Sequence, residues 1–429
     1  MFDTPQLDRR QLFGTGAGLL AFTALPAYAR RGRFNNLGWN KVQAMLDAYV
    51  ADDRLPGAVG AVARGTDDAS FLFSGKIARG DTRAMDADSL FRIYSMTKPI
   101  TGMAAMMLIE DGKIGLDQNI ADFMPGFKSP MVLIDPLKSL DARPATAPIT
   151  VRNLLTHTAG LGYNIITKGP LLDAYNRLGI TPGQVSRKLL PGFKPVTTAP
   201  GLTEFADRLA TLPLIAEPGS KWSYSVSLDL LGRLIEVASG MSFDAFLKTR
   251  IFEPLGMTST YFQVPASEIP RFTTNYGVSP MGKFPIDPGK DSIYLDKPAF
   301  PFGGAGLVSS ARDYDRFLLM LAGHGAIGRT RIMKRDTAKL GMSNLLPPGA
   351  DTRGSYADGQ GFGAGGRVTI NGIDRLGASV GTYGWGGAAA TVAWIDPTRG
   401  VRACGFAQYM PDQSMPFTTD FGKAVYASL

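Results

Sequence analysis

Strand-like runs stand near both ends of this 429-residue chain, and helical periodicity fills the stretch between them. Residues 58–64 and 70–74 read as two short strands around a turn at Thr66-Asp67-Asp68. Residues 361–370, 388–395 and 401–409 alternate in the manner of an antiparallel sheet. The pattern predicts one sheet built from two distant segments. Helices are expected over 39–53, 310–322 and 417–429 beside it. Between the sheet segments, 150–161 reads as a short capped helix ending at glycine, and 202–212, 227–239 and 243–252 as further helices. The expected class is therefore α/β (α+β): an antiparallel sheet flanked by helices, with an all-helical domain inserted. Residues 39–95 and 303–429 would form the sheet domain and 96–302 the mainly helical one. Within the latter, 128–149 and 163–200 show no regular pattern, and 263–302 reads as a long connection with some strand. Clefts between such domains are favoured ligand sites.

The stretch Phe91-Arg92-Ile93-Tyr94-Ser95-Met96-Thr97-Lys98-Pro99-Ile100 carries a Ser-x-x-Lys pattern. Met96, Ile100, Met103 and Met107 recur at helical spacing, and Gly112 is a stop signal. Positions i and i+3 share a helix face, so the Lys98 ammonium can reach the Ser95 hydroxyl. A serine hydroxyl needs such a neighbour to become a useful nucleophile. An N-capping serine followed by a solvated lysine accounts for the motif alone equally well. Tyr224, in Trp222-Ser223-Tyr224-Ser225, precedes the helix expected from Ser227. A phenol beside an ammonium ionises more easily and can move a proton to or from a serine. Taken alone it is an ordinary half-buried tyrosine. Tyr383-Gly384-Trp385-Gly386-Gly387-Ala388 precedes an expected strand. Its glycines let a substrate approach the backbone, and an edge amide there can donate to an oxyanion. A glycine-rich bulge or turn is the plainer reading.

Several function classes drop out on composition. The net charge is +8, but the basic residues are scattered, so nucleic-acid binding is not expected. His157 and His324 are the only histidines, which excludes His-rich metal sites by count, and no cofactor is expected. The single cysteine, Cys404, allows no intrachain disulfide and sits in a strand-like run as a buried, inert thiol. Arg9-Arg10-Gln11-Leu12-Phe13, a short apolar run and Ala27-Tyr28-Ala29 together read as a twin-arginine signal peptide over 1–29. Export, to the periplasm or beyond, is expected, with cleavage near Ala29. No later run of 18 apolar residues occurs, so no membrane span is expected in the mature chain.

Together, Ser95-x-x-Lys98, Tyr224-Ser225-Val226 and Trp385-Gly386-Gly387 resemble, in order, the motifs of the serine β-lactamase and penicillin-binding-protein superfamily. The chain is most similar to the carboxylesterases related to class C β-lactamases, esterase family VIII. The likeness spans roughly residues 40–428 and includes Leu154-Leu155-Thr156-His157-Thr158-Ala159-Gly160-Leu161 and Gly303-Gly304-Ala305-Gly306-Leu307-Val308-Ser309. It implies a β-lactamase/transpeptidase-like fold, Ser95 as nucleophile, and Lys98 and Tyr224 in proton transfer. It also implies an oxyanion hole from the Ser95 and Ala388 amides, with Trp385, Gly386 and Gly387 against the substrate.

Two departures bear on the substrate. Class C β-lactamases carry Tyr-x-Asn, where this chain has Val226, and Lys-Thr-Gly, where it has Trp385-Gly386-Gly387. Both losses weaken recognition of an anionic lactam, and an indole suits an apolar acyl or alcohol group. A short-chain carboxylic ester is therefore the expected partner. The alternatives are a β-lactamase, a D-amino-acid amide hydrolase or peptidase, an acyltransferase, or a penicillin-binding sensor without turnover. Gly377-Ala378-Ser379-Val380-Gly381 matches the Gly-x-Ser-x-Gly nucleophile elbow, but no histidine lies downstream of 324 and glycines follow instead of a helix. His157 reads as a structural hydrogen-bonding residue.

Overall fold

Strands from the two ends of the chain pair directly in a seven-stranded antiparallel sheet. The computed structural model describes residues 38–188, 197–372 and 377–429; the segment read as a signal peptide lies outside them. The chain begins with α1 (Asn40–Ala51), β1 (Gly57–Arg64), β2 (Ser70–Gly75) and β3 (Leu90–Arg92), then enters α2 (Thr97–Glu110). A hairpin of β4 (Met131–Leu133) and β5 (Ala142–Pro144) leads to α3 (Val151–Leu155), α4 (Pro170–Leu178), α5 (Leu202–Ala210) and α6 (Ser227–Ser239). After α7 (Phe243–Leu247) and α8 (Glu253–Leu255) come β6 (Asn275–Ser279), β7 (Gly282–Asp287) and β8 (Val308–Ser310). Next are α9 (Ala311–Ala322), the small hairpin β9 (Ala326–Ile327) and β10 (Thr330–Arg331), and α10 (Arg335–Gly341). The C-terminal part supplies β11 (Gly361–Phe362), β12 (Arg367–Val368), β13 (Tyr383–Gly387), β14 (Thr391–Asp396), β15 (Val401–Phe406), β16 (Tyr409–Met410) and α11 (Phe417–Ala427).

The sheet order is β11-β12-β13-β14-β15-β1-β2, so β15 joins the two ends through pairs such as Ala61 with Cys404. β1 is buried from Gly57 to Ala63 because both its faces are covered. Ala58 and Val62 face Val42, Leu46 and Phe421 of α1 and α11, while Val59 and Ala61 join the larger core with Phe406 and Phe317. Gly60 pairs with Gly405, and a Cβ on either would stand within 2.8 Å of the Phe421 ring. The glycine pair makes the hollow that seats this ring. On the other side of the core, α2 is buried continuously from Thr97 to Leu108. A helix apolar all round belongs at the centre of a fold, and here it carries the Ser-x-x-Lys segment into the core.

Several expectations need correction. The helix from Thr150 stops at Leu155, well before Gly160. Its start is fixed by a capping box between Thr150 and Asn153, but His157 then adopts a φ of 56°, which no helix continues. The irregular excursion 163–200 contains α4, bracketed by Gly169 and Gly179, both at φ 70°. The excursion 128–149 holds the β4–β5 hairpin. Residues 361–370 are two short strands around Gly365, not one. The glycine-rich Tyr383–Gly387 stretch does precede a strand, β14, but is itself the strand β13, and Ala388–Ala390 form the turn between them. The last strand-like run divides: β15 ends at Phe406, and β16 pairs with β6 in a second sheet.

The connection 263–302 is tied to the segment ahead of Ser95 by a buried ion pair. Arg92 Nε lies 2.5 Å from Asp287 Oδ2, and both side chains are almost wholly inaccessible. Arg92 also donates to the Thr273 carbonyl at 2.7 Å, and Asp287 accepts from the Ile293 amide at 3.0 Å. Removing one partner of such a pair strands the other charge in the core. Asp287→Ala should therefore lower stability by about 3–5 kcal/mol in denaturant unfolding. Cutting the exposed Arg312–Asp88 pair with Arg312→Ala should cost under about 1 kcal/mol.

Candidate active site

Ser95 sits in a single 3-10 turn, Tyr94–Met96, at the mouth of α2. Tyr94, just ahead of it, holds φ at 41°, a conformation that L-residues with a bulky side chain rarely adopt. The ring of Tyr94 is buried edge-on against Tyr294, at 6.3 Å between centroids, within the cluster that includes Ala389. Packing of that ring holds the strained turn, and the turn presents Ser95 half-buried at the cleft.

Two side chains donate to the Ser95 hydroxyl, and a third donates to one of them. Lys98 Nζ, one turn further along, donates to Ser95 Oγ at 3.2 Å. The Tyr224 hydroxyl, from the loop before α6, donates to the same oxygen at 2.7 Å. The Trp385 indole N–H, from β13, donates to the Tyr224 oxygen at 3.2 Å. Thus Ser95, Lys98, Tyr224 and Trp385 form one hydrogen-bonded chain. Lys98 is fully buried; it donates to the Gly304 carbonyl at 2.7 Å and lies over the rings of Tyr224 at 4.5 Å and Tyr163 at 5.4 Å. Carbonyl and π-faces give a buried ammonium partial compensation for lost water.

Gly387 and Ala388 stand where β13 passes the Ser95 turn. A Cβ on Gly387 would lie 2.2 Å from the Ile93 carbonyl, so only glycine lets the strand come this close. β12 pairs with β13 only at Tyr383 and Gly384, which leaves the Trp385–Gly387 edge open toward the cleft. Ser95, Gly384, Trp385, Gly386, Gly387 and Ala388 all line that cleft, whose volume is about 820 Å³. Ile165, Tyr356 and Arg367 stand on its other walls. Val226 is buried away from it.

The tyrosine ring is caged. Trp222 stacks on Tyr224 at 5.9 Å and 8°, and His157 lies 4.9 Å from it. His157 Nδ1 bonds Ser225 Oγ at 2.8 Å. Burial, and then the Lys98 charge, hold its proton affinity well below the usual histidine range, so the imidazole is neutral. Ser379 is not in this constellation: its amide donates to Asp396 Oδ2 at 3.0 Å, and β13 follows it where an elbow needs a helix. Cys404 is buried in β15, and burial pushes its thiol up. Among the described residues no group of three His, Cys, Asp or Glu is placed to hold a metal ion.

Sequence reasoning missed three participants. Tyr163 comes from an aperiodic excursion. Gly304 lies in a glycine motif whose contact with Lys98 no spacing rule reports. Asp229, in the first turn of α6, accepts from the Gly304 amide at 2.9 Å. It reads in sequence as an ordinary acidic residue at a helix start.

Comparison with known proteins identifies the chain's family and relatives. A family model described as Beta-lactamase matches residues 42–425. Esterase EstB of Burkholderia gladioli is 31% identical over 409 residues, covering 90% of this chain and 95% of its own. Acyltransferase calJ of Penicillium decumbens is 29% identical, covering 77% of each chain. Among solved structures, EstCE1, described as a hydrolase with promiscuous acyltransferase activity, superposes with a TM-score of 0.73 at 27% identity, covering 90% of this chain and 98% of its own. The chain belongs to the Beta-lactamase family, as a serine enzyme of the esterase type within the serine β-lactamase and penicillin-binding-protein superfamily.

Proposed function

We propose that the protein hydrolyses short-chain carboxylic esters through an acyl-enzyme on Ser95. The observation that carries this reading is the double donation to Ser95 Oγ, from Lys98 at 3.2 Å and Tyr224 at 2.7 Å, at the wall of an open cleft. Lys98 and Tyr224 both donate to Oγ in the resting arrangement, so the pair first gives one proton to solvent; the serine proton then passes to the deprotonated pair as Oγ bonds to the ester carbonyl carbon. The negative charge collects on the former carbonyl oxygen, which the Ser95 and Ala388 amides would receive. Collapse breaks the ester C–O bond, and the alcohol leaves with the proton. Water then attacks the acyl-serine and gives a proton to the pair; the acyl C–Oγ bond breaks, the acid leaves, and the pair returns that proton to Oγ.

The preference for esters rests on what lines the site. An Asn side chain at 226 would be needed to contact a substrate amide, and Val226 supplies none. Trp385 offers an indole where the lactamases place a lysine, and its N–H is already committed to Tyr224. Transfer of the acyl group to a second alcohol is the alternative, supported by the likeness to Acyltransferase calJ and to EstCE1, a hydrolase with promiscuous acyltransferase activity.

Tyr224→Phe should lower kcat by about 10²–10⁴ with the fold intact by circular dichroism. An effect on KM alone would contradict its place in proton transfer. On one preparation, kcat/KM for p-nitrophenyl butyrate should exceed that for a chromogenic cephalosporin. A larger value for the cephalosporin would overturn the ester reading and leave the Ser95 chemistry standing. Partition of the butyryl group to an added alcohol, read as ester product against butyrate, distinguishes transfer from hydrolysis.

A further inference from the structure

Lys98 presents an electrostatic problem that its direct contacts do not solve. Its ammonium is fully buried, yet among the described residues no carboxylate lies within 4.0 Å of it. Its hydrogen-bond acceptors are Ser95 Oγ and the Gly304 carbonyl. A buried cation without a counter-charge is costly, and the carboxylate that answers it stands one residue back. Gly304 faces both ways: its carbonyl accepts from Lys98 at 2.7 Å, and its amide donates to Asp229 Oδ1 at 2.9 Å. Asp229 is itself fully buried, and its Oδ2 has no hydrogen-bond partner. A Cβ on residue 304 would lie 2.7 Å from that Oδ2, so the glycine lets the carboxylate sit directly against the backbone.

We propose that Asp229 is a positioning residue for the proton-transfer pair: it fixes the Gly304 carbonyl that anchors Lys98 and supplies the buried negative charge that keeps the ammonium at Ser95. The inference rests on the proposed chemistry at Ser95. Asp229 accepts one backbone hydrogen bond, at the Gly304 amide, and keeps a lone oxygen in the core, an arrangement that fold stability alone does not call for. Burial pushes its carboxyl up to about 6, against the pull of Lys98. The other titratable groups facing this centre are Tyr224, Tyr163 and His157. Tyr163 is pushed above the ordinary phenol range by burial and then by Tyr224, and His157 is held neutral. Asp229 is thus the carboxylate that these neighbouring elements place behind Lys98.

The sign of the effect does not depend on how Lys98 and Tyr224 divide the base role. The pair must lose one proton to accept the one on Ser95. A nearby anion favours the protonated, more positive form of the pair, so removing it lets the proton leave at lower pH.

The test is Asp229→Asn, which keeps the shape and can still accept from the Gly304 amide. The kcat/KM profile for p-nitrophenyl butyrate is measured across pH, with thermal unfolding in parallel. The expected result is a kcat lowered about 10-fold or more, KM nearly unchanged, and the alkaline-rising limb moved down by about one pH unit. A folded variant whose limb does not move overturns the proposal, whether or not its activity falls, because a merely structural residue would leave the limb in place. Gly304→Ala, which crowds Oδ2 while keeping the charge, is the second variant. It should lower kcat, and normal kcat with an unmoved limb also overturns the proposal. Ser95→Ala is run alongside. If it retains turnover, the chemistry at Ser95 is wrong; if it is inactive and the Asp229→Asn profile matches the parent, only the role of Asp229 fails.

Discussion

One buried ammonium organises the centre of this protein. Lys98 lies in the first turn of a helix buried from Thr97 to Leu108, where a cation is tolerated only with partners on every side. Each partner comes from a different part of the chain. Ser95 comes from the turn before α2, Tyr224 from the loop before α6, Tyr163 from the excursion after α3, and Gly304 from the glycine motif ahead of β8. The same convergence that makes the charge bearable aims it at the serine hydroxyl. Stability and chemistry meet in one side chain.

Close backbone approach is the second requirement, and glycine meets it at three points. Gly387 lets β13 pass within contact of the Ser95 turn, Gly304 lets Asp229 approach from behind, and Gly303 comes against the Leu228 carbonyl, where a Cβ would lie at 2.3 Å. The strained φ of Tyr94 belongs to the same design. Its ring packs in a cluster that also holds Ala389, in the turn after β13. One small cluster therefore supports both the serine turn and the strand that faces it.

Much of this was legible in the sequence, for identifiable reasons. Ser95 and Lys98 are local partners on one helix, so spacing alone brings them together. Tyr224 and Trp385 are distant, and only the ordered likeness to a family linked them to the serine. The sheet was legible from the short strand-like runs at 58–64 and 70–74 and from alternation over 401–409, although that last run divides after Phe406. β13 was not, because Tyr383-Gly384-Trp385-Gly386-Gly387 carries three glycines and reads as a turn; pairing with β14 overrides that local preference. α4 escaped notice although Leu171, Ala174 and Tyr175 show helical spacing, since its nine residues stand alone among glycines and prolines. Asp229 was hidden by its position, where an acidic residue already has a reason to stand at a helix start.

The central claim is that Ser95 Oγ forms the covalent bond. The most direct measurement mixes the enzyme with p-nitrophenyl butyrate, quenches in acid within the first turnovers, and maps the protein by peptide mass spectrometry. The account predicts a butyryl adduct on the peptide containing Ser95, absent from Ser95→Ala protein. An adduct on the peptide containing Ser379, or turnover by folded Ser95→Ala protein, would contradict it.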